Sequence, residues 1–321
     1  MRVTRHRRAK PRPFSHDPMS ALLSFFGILF MRVLARLPLA WVRSMGWLLG
    51  WVLYGAVASR RHVVWTNLRL CFPDWPAPKL RQVSQQSFVH FAQAWLDRGW
   101  LWHGPEAVTK CRLQITGAID ALQSAGPVVI FAPHFVGLDA GWTALTQQLS
   151  ELPQAAADHG AGHHFSTLYS HQSNPHVDAW VLAGRKRFGD PRLFDRFAGP
   201  KPLVTSLREG GLLYLLPDMN YGLQESVFVP FYGIPAATVT SLTRLARLGR
   251  ARIVPVVTRM TATGYDVQVM PAWPDMPTGD VTGDTALMNR RLESYIDTMP
   301  AQYFWVHKRF KDQPAGAAAV Y

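Results

Sequence analysis

The apolar positions divide the chain into an amphiphilic front and a long body of alternating strand-like and helix-like segments. Near the front, ALLSFFGILFM runs 11 residues to Arg32, MRVLARLPLAWVR is cut by arginines and Pro38, and SMGWLLGWVLYGAVA adds 15 more. Neither clean run reaches the ~20 apolar residues of a simple membrane crossing. Residues 19–59 are therefore expected to be a membrane anchor, either a tilted span over 19–40 or a monotopic helical hairpin whose arginines snorkel to the headgroups. A buried helical hairpin is the competing reading. A cleaved signal is rejected, because more than 40 residues would precede the second run.

In the body, Pro73 and Pro76 break the chain before Leu80, Val83, Phe88, Phe91 and Trp95 recur at near-helical spacing, which predicts a packing helix. Residues 128–131 (VVIF) and 211–216 (GLLYLL) are short apolar runs that end at Pro133 and Pro217, as buried strands end at turns. RIVPVVTR and YDVQVMP supply two further strands. Val239, Leu242, Ala246 and Gly249 form the apolar side of a helix whose Arg244 and Arg247 share another face, and residues 284–299 make a last helix ended by Pro300. The expected fold is α/β: one domain over residues 60–312 with a central mixed sheet flanked by helices. Around it come a basic tail (1–18), the anchor (19–59) and a C-terminal tail (313–321). No internal repeat or long linker divides the body.

Charge narrows the class of partner. Lys and Arg total 34 against 21 acids, a net charge of +13 and a pI of about 10.2, and six of the cations lie in the first 13 residues with no acid among them. Such a surplus calls for anionic lipid or an acidic protein. Nucleic acid is not expected, since zinc-finger spacing, RNP-like aromatics and basic heptads are all missing. The only cysteines, Cys71 and Cys111, stand 40 positions apart in unlike contexts, which suits a reducing compartment and neither a disulfide framework nor a thiolate site.

The candidate chemistry sits where the first buried run ends. His134 follows Pro133 at the mouth of the turn, Gly137 lets the backbone come close, and Asp139 falls where a helix should start. An imidazole can take the proton of a hydroxyl if a carboxylate holds its other nitrogen in the right tautomer, and Asp139 can do so if the turn folds back. Chance alone supplies about one such His-x-x-x-x-acid spacing in a chain of this composition. The second one, His307 to Asp312, lacks the strand, turn and helix that surround the first. Asp218 and Asn220, after the second buried run, are candidates to line the same cleft. Arg185 and Arg187 stand two apart at a helix end stopped by Gly189, placed to clamp phosphate or to complement the helix dipole. Five histidines between 159 and 176 invite a metal, yet Gly160 and Gly162 spoil the helix that His159 and His163 would need, so a flexible polar loop is expected. Neither metal nor cofactor is expected. With no G-x-S-x-G elbow, phosphate loop or H-E-x-x-H, the pattern fits direct attack by a substrate hydroxyl on an activated acyl group, with backbone N–H groups near Gly137 or an arginine holding the oxyanion.

Seven ordered blocks, HFVGLD, GRKRFG, LPDMNYG, ESVFVPFYGIPAAT, RLARL, IVPVVTR and PAQYFWVHKRFK, resemble the late acyltransferases of lipid A biosynthesis, within the wider lysophospholipid acyltransferase superfamily. The resemblance implies transfer of a fatty acyl chain from an acyl carrier protein thioester to a hydroxyl of a lipid A precursor, at the cytoplasmic face of a bacterial inner membrane. It implies His134 as base, Asp139 as its orienting carboxylate, and Arg185 and Arg187 as ligands of phosphate or the oxyanion. Asp218 matches the family's Pro-Asp block, Asn220 replaces a commonly acidic position, and RFKDQP departs from RFKTRP. His307, Lys308 and Arg309 are implied anion contacts. Two other readings remain: the same chemistry on another lipid, such as a lysophospholipid or an aminolipid, and a non-catalytic lipid-binding protein in which His134 and Asp139 are a core pair.

Overall fold

The structure is a computed structural model that describes residues 18–150 and 164–321. The basic tail up to residue 17 and the pair His159 and His163 lie outside the described residues. The chain begins with four helices, α1 (Pro18–Leu34), α2 (Leu39–Ala56), α3 (Ala58–Cys71) and α4 (Ala77–His103), then α5 (Glu106–Arg112), β1 (Leu113–Gly117), α6 (Asp120–Gln123), β2 (Val128–Phe131) and α7 (Leu138–Gln148). There follow β3 (Phe165–Tyr169), α8 (Pro175–Arg185), β4 (Arg192–Asp195), α9 (Pro200–Arg208), β5 (Leu212–Leu215), and the hairpin β6 (Ser226–Phe231) and β7 (Ile234–Val239). The chain ends with α10 (Ser241–Gly249), β8 (Arg252–Met260), β9 (Tyr265–Val269) and α11 (Val281–Thr298), before a 3-10 turn at Pro300–Gln302.

Seven strands form one mixed sheet in the order β1-β9-β8-β2-β5-β3-β4. Only the β8–β9 pair is antiparallel; β2 lies parallel to both β5 and β8. Every residue of β2 and β5 is buried, because helices cover both faces, and this is why these strands read as unbroken apolar runs. Val129, Phe131, Leu213 and Leu215 pack towards α9, α10 and α11, while Val128, Ile130, Leu212 and Tyr214 pack towards α7 and the end of α4. The 27-residue α4, roughly 40 Å long, joins the two halves of the core: Leu80, Val83 and Phe88 belong to the first and Trp100 to Trp102 to the second.

The N-terminal hairpin leans on α4 through glycines. A Cβ on Gly46 would lie 2.7 Å from the Gln93 backbone, and one on Gly50 would press into the Val89 backbone, so small residues let the helices touch. Arg43 does not snorkel outward as the monotopic-hairpin alternative would have it. It turns inward to the fully buried Asp97 at 2.9 Å, and Tyr265 and Trp100 donate to the same carboxylate at 2.6 and 2.9 Å. Burial pushes the Asp97 carboxyl up, against the pull of Arg43 and these hydrogen bonds. The outer faces of α1 and α2 expose Leu23, Phe25, Phe26, Trp41, Trp47 and Leu48, each more than half accessible. No helix among the described residues is long and apolar enough to cross a membrane.

Contact at Gly50 gives a direct test of the hairpin packing. Gly50→Ala should destabilise the fold by about 1–3 kcal/mol through overpacking, whereas Gly27→Ala, with nothing within 4 Å of its added Cβ, should be neutral or stabilise by up to ~1 kcal/mol. Urea denaturation of both variants checks this, and equal midpoints would contradict it.

Candidate functional site

Parallel pairing decides which side chain meets His134. Phe131 of β2 lies opposite Leu215 of β5, and three residues beyond each partner stand His134 and Asp218. His134 Nδ1 lies 2.7 Å from Asp218 Oδ1, and its backbone N–H donates to Asp218 Oδ2 at 3.0 Å. Tyr303 donates its hydroxyl to that second oxygen at 3.1 Å. The C-terminal segment pins the same turn, since Phe304 N–H donates to the His134 carbonyl, Val136 N–H donates to the Gln302 carbonyl, and Phe135 bridges Tyr303. Burial pushes the Asp218 carboxyl up, but the His134 charge and hydrogen bonds outweigh it and hold the group below the ordinary carboxylate range. Asp218 has no exposed surface, does not line the groove below, and has its oxygens taken up by His134 and Tyr303. The other ring nitrogen, Nε2, has no protein partner among the described residues.

Asp139 does not take the role expected of it. It sits in the first turn of α7 and is gripped by two guanidiniums: Arg98 Nε donates to one oxygen at 2.8 Å, and Arg185 donates to the other through Nε at 3.3 Å and NH2 at 3.1 Å. Burial raises its carboxyl, yet the two cations more than offset this and depress it. Gly137, expected near substrate, faces the sheet, where a Cβ would lie 2.7 Å from Thr258 Cγ2 and 3.0 Å from Tyr265 Cδ1. Its backbone angles are ordinary, so the close approach alone requires glycine.

A groove of about 360 Å³ opens above this floor, with His134, Arg185, Arg196, Tyr214, Tyr221 and Ser241 among the residues that line it. Arg185 is the one member of the arginine pair that reaches it. Arg187 points to the end of α4, donating to the Leu101 carbonyl at 2.7 Å and to the Gly104 carbonyl. It ties helix to loop and does not line the groove. Arg309 is likewise corrected: it is buried, bonded to the Ala237 carbonyl at 2.8 Å and Thr238 Oγ1 at 2.6 Å, and stacked over Phe231. His307 accepts the Asn220 N–H at Nε2, 3.1 Å away, and burial together with the His134 and Arg309 charges lowers it to about 4. The neutral ring therefore offers an anion no charge, and its Nε2 is already occupied. Lys308 alone of that trio is exposed, over the Tyr321 ring. Tyr321 also bonds Asn67 and Phe310, so the expected C-terminal tail is packed at its end.

Residues around the groove that the sequence did not single out include Arg98, Tyr303, Arg196, Tyr214, Tyr221 and Ser241. Arg98 left a signal, since Asp97 and Arg98 are the only charged residues inside the aromatic-rich stretch 95–103. Among the described residues no group of three His, Cys, Asp or Glu side chains could hold a metal ion.

Residues 12–312 match the family described as Bacterial lipid A biosynthesis acyltransferase. The chain is 29% identical over 300 residues to a Haemophilus influenzae lipid A biosynthesis acyltransferase, covering 91% of this chain and 88% of that one. It is 28% identical to the Escherichia coli lipid A biosynthesis lauroyltransferase, covering 93% and 94%, and 29% identical to the E. coli lipid A biosynthesis myristoyltransferase, covering 82% and 79%. Among solved structures, the Thermotoga maritima 1-acyl-sn-glycerophosphate acyltransferase aligns over 80% of this chain and 93% of that chain, with a TM-score of 0.33 and 9% identity.

The depressed His307 gives the site a measurable acid sensitivity. Native His307 stays neutral down to about pH 4, whereas an unfolded histidine protonates near pH 6.5. The unfolded chain therefore binds more protons between these values, so this contribution, at most ~3 kcal/mol, is complete above pH 6.5 and is lost as pH falls towards 4. His307→Asn should flatten the fall in denaturation midpoint across that window, and an unchanged slope would contradict the assignment.

Proposed function

Because this chain belongs to the family of bacterial lipid A biosynthesis acyltransferases, we propose that it moves a fatty acyl chain from an acyl carrier protein thioester to a hydroxyl of a lipid A precursor, with His134 as general base and no covalent intermediate. Family membership makes it an acyltransferase of late lipid A acylation. The observation that carries the finer reading is the 2.7 Å contact between His134 Nδ1 and the buried Asp218, which leaves Nε2 for the groove.

In this reading the acceptor hydroxyl attacks the thioester carbonyl while Nε2 takes its proton. A C–O bond forms, the C–S bond breaks as the tetrahedral intermediate collapses, and the imidazolium returns the proton to the departing thiolate. Asp218 holds the tautomer and stabilises the imidazolium. No serine or cysteine is hydrogen-bonded to His134 among the described residues, which supports direct transfer over an acyl-enzyme. Asp139 fixes two nitrogens of Arg185 and leaves NH1 for the oxyanion or a phosphate of the acceptor, a role suited to a guanidinium fork.

The exposed apolar face of α1 and α2 supports peripheral attachment to the cytoplasmic face of the bacterial inner membrane, the anionic surface that the +13 charge fits. Arg43 of α2 donates to the Thr261 and Gly264 carbonyls beyond the end of β8. That strand runs parallel to β2, so the hairpin sits at the same edge of the sheet as His134, and a lipid need travel little to reach the groove.

Acyl transfer from a labelled carrier thioester to a tetra-acylated lipid A precursor is the test. His134→Ala should lower turnover by about 100- to 10,000-fold, and Asp218→Asn should fall with it, both with an unchanged circular dichroism spectrum. Near-normal turnover by His134→Ala would remove the base. Full activity of Asp218→Asn beside a dead Asp139→Asn would return the partner role to Asp139.

A further inference from the structure

On the face of the sheet opposite α7, helices α9 and α10 pack together and carry a line of unpaired cations. Arg244, Arg247 and Arg250 stand three residues apart and are all exposed, and Lys201 and Arg208 are exposed on α9. Arg208 Nε donates to the Leu248 carbonyl at 3.1 Å, which joins the helices into one platform with Leu248 itself 47% exposed in its midst. Among the described residues no carboxylate pairs with Lys201, Arg244, Arg247 or Arg250. Of the nearby acids, Glu209 is engaged by Arg192, Asp284 of α11 is buried against Thr243 and Thr278, and Glu225 lies beside the start of α10.

Arg208 and Arg247 lie in the last turns of their helices, where cations complement the dipole, but local stability does not account for the other three placements. Lys201 lies in the first turn of α9 and Arg244 at the close of the first turn of α10, where the helix dipole disfavours cations. Arg250 occupies a left-handed position, φ 53°, where glycine is the ordinary choice. Three cations held against local preference point to an anionic partner.

We propose that this ridge docks the acidic carrier protein of the acyl donor, an inference that rests on the acyl-transfer reading above. Topology separates a protein from a bilayer as the occupant. Helix α10 starts at Ser241 on the rim of the groove and leads into β8, which is parallel to β2, so it runs from the His134 edge of the sheet towards the opposite edge. The apolar hairpin is at the His134 edge. A bilayer resting on that hairpin therefore leaves the ridge along the flank, open to a soluble partner whose thioester arm enters past Ser241. The exposed Leu248 supplies an apolar contact within the basic field, as protein interfaces do, and the unpaired charges supply steering.

The test uses the full chain in detergent and Arg247→Glu/Arg250→Glu, which keep clear of the groove. Binding to acyl carrier protein at low salt should weaken at least ~10-fold in the variant, and 0.5 M NaCl should weaken the parent similarly. KM for the carrier thioester should rise by the same factor, with transfer from a short acyl-pantetheine thioester unchanged within about 2-fold. Equal losses with both donors, or unchanged carrier binding, would overturn the docking surface. Loss of binding to anionic phospholipid vesicles with carrier binding intact would overturn it in favour of lipid. If the parent binds the carrier through these arginines but transfers from neither donor, the acyl-transfer reading fails while the docking surface stands.

Discussion

The carboxylate of Asp218 is the point on which the site depends. It is buried without solvent, so it must be met by hydrogen bonds or by a positive charge, and removing such a partner from a buried ion pair costs about 3–5 kcal/mol. The chain meets the demand with three groups: the His134 ring, the His134 backbone N–H and the Tyr303 hydroxyl. Those groups come from the end of β2 and from a segment 169 residues later. One anion thus draws the first buried strand, its neighbour β5 and the C-terminal block to a single place, and the groove opens where they meet.

The same economy recurs elsewhere in the interior. Asp97 is met by Arg43, Tyr265 and Trp100, and Asp139 by Arg98 and Arg185. Each binds α4 to a partner distant in sequence, α2 and β9 in the first case, α7 and α8 in the second. Arg187 and Arg309 bond carbonyls and a hydroxyl inside the fold. Several of the arginines behind the net charge of +13 therefore act internally, and the charge left for partners is concentrated in fewer places than the composition suggests. The exposed line along α9 and α10 stands out for that reason.

Much of the scaffold was legible in the residues. The stripe through Leu80, Val83 and Phe88 marked α4, unbroken apolar runs marked β2 and β5, and Pro300 closed the last helix. His134 stood out as a candidate because a histidine after a buried strand and before a helix has few uses in packing. Its partner was not, because spacing along the chain favours Asp139, whereas the contact is made across two strands whose adjacency no local pattern reveals. Once β2 and β5 are known to be parallel neighbours, equal offsets from Phe131 and Leu215 lead to His134 and Asp218. The arginine pair shows the same limit: two positions apart on one helix end, Arg185 turns to the groove and Arg187 to the end of α4, and only the packing of α4 distinguishes them.

The most direct measurement is the nitrogen-15 NMR spectrum of histidine-labelled protein, with the His134 signals identified by their loss in His134→Ala. The geometry requires Nδ1 to carry its proton towards Asp218, with Nε2 as the unprotonated nitrogen of the neutral ring. That signature should survive in Asp139→Asn and collapse in Asp218→Asn. A tautomer that responds to Asp139 and ignores Asp218 would contradict the arrangement on which the site is built.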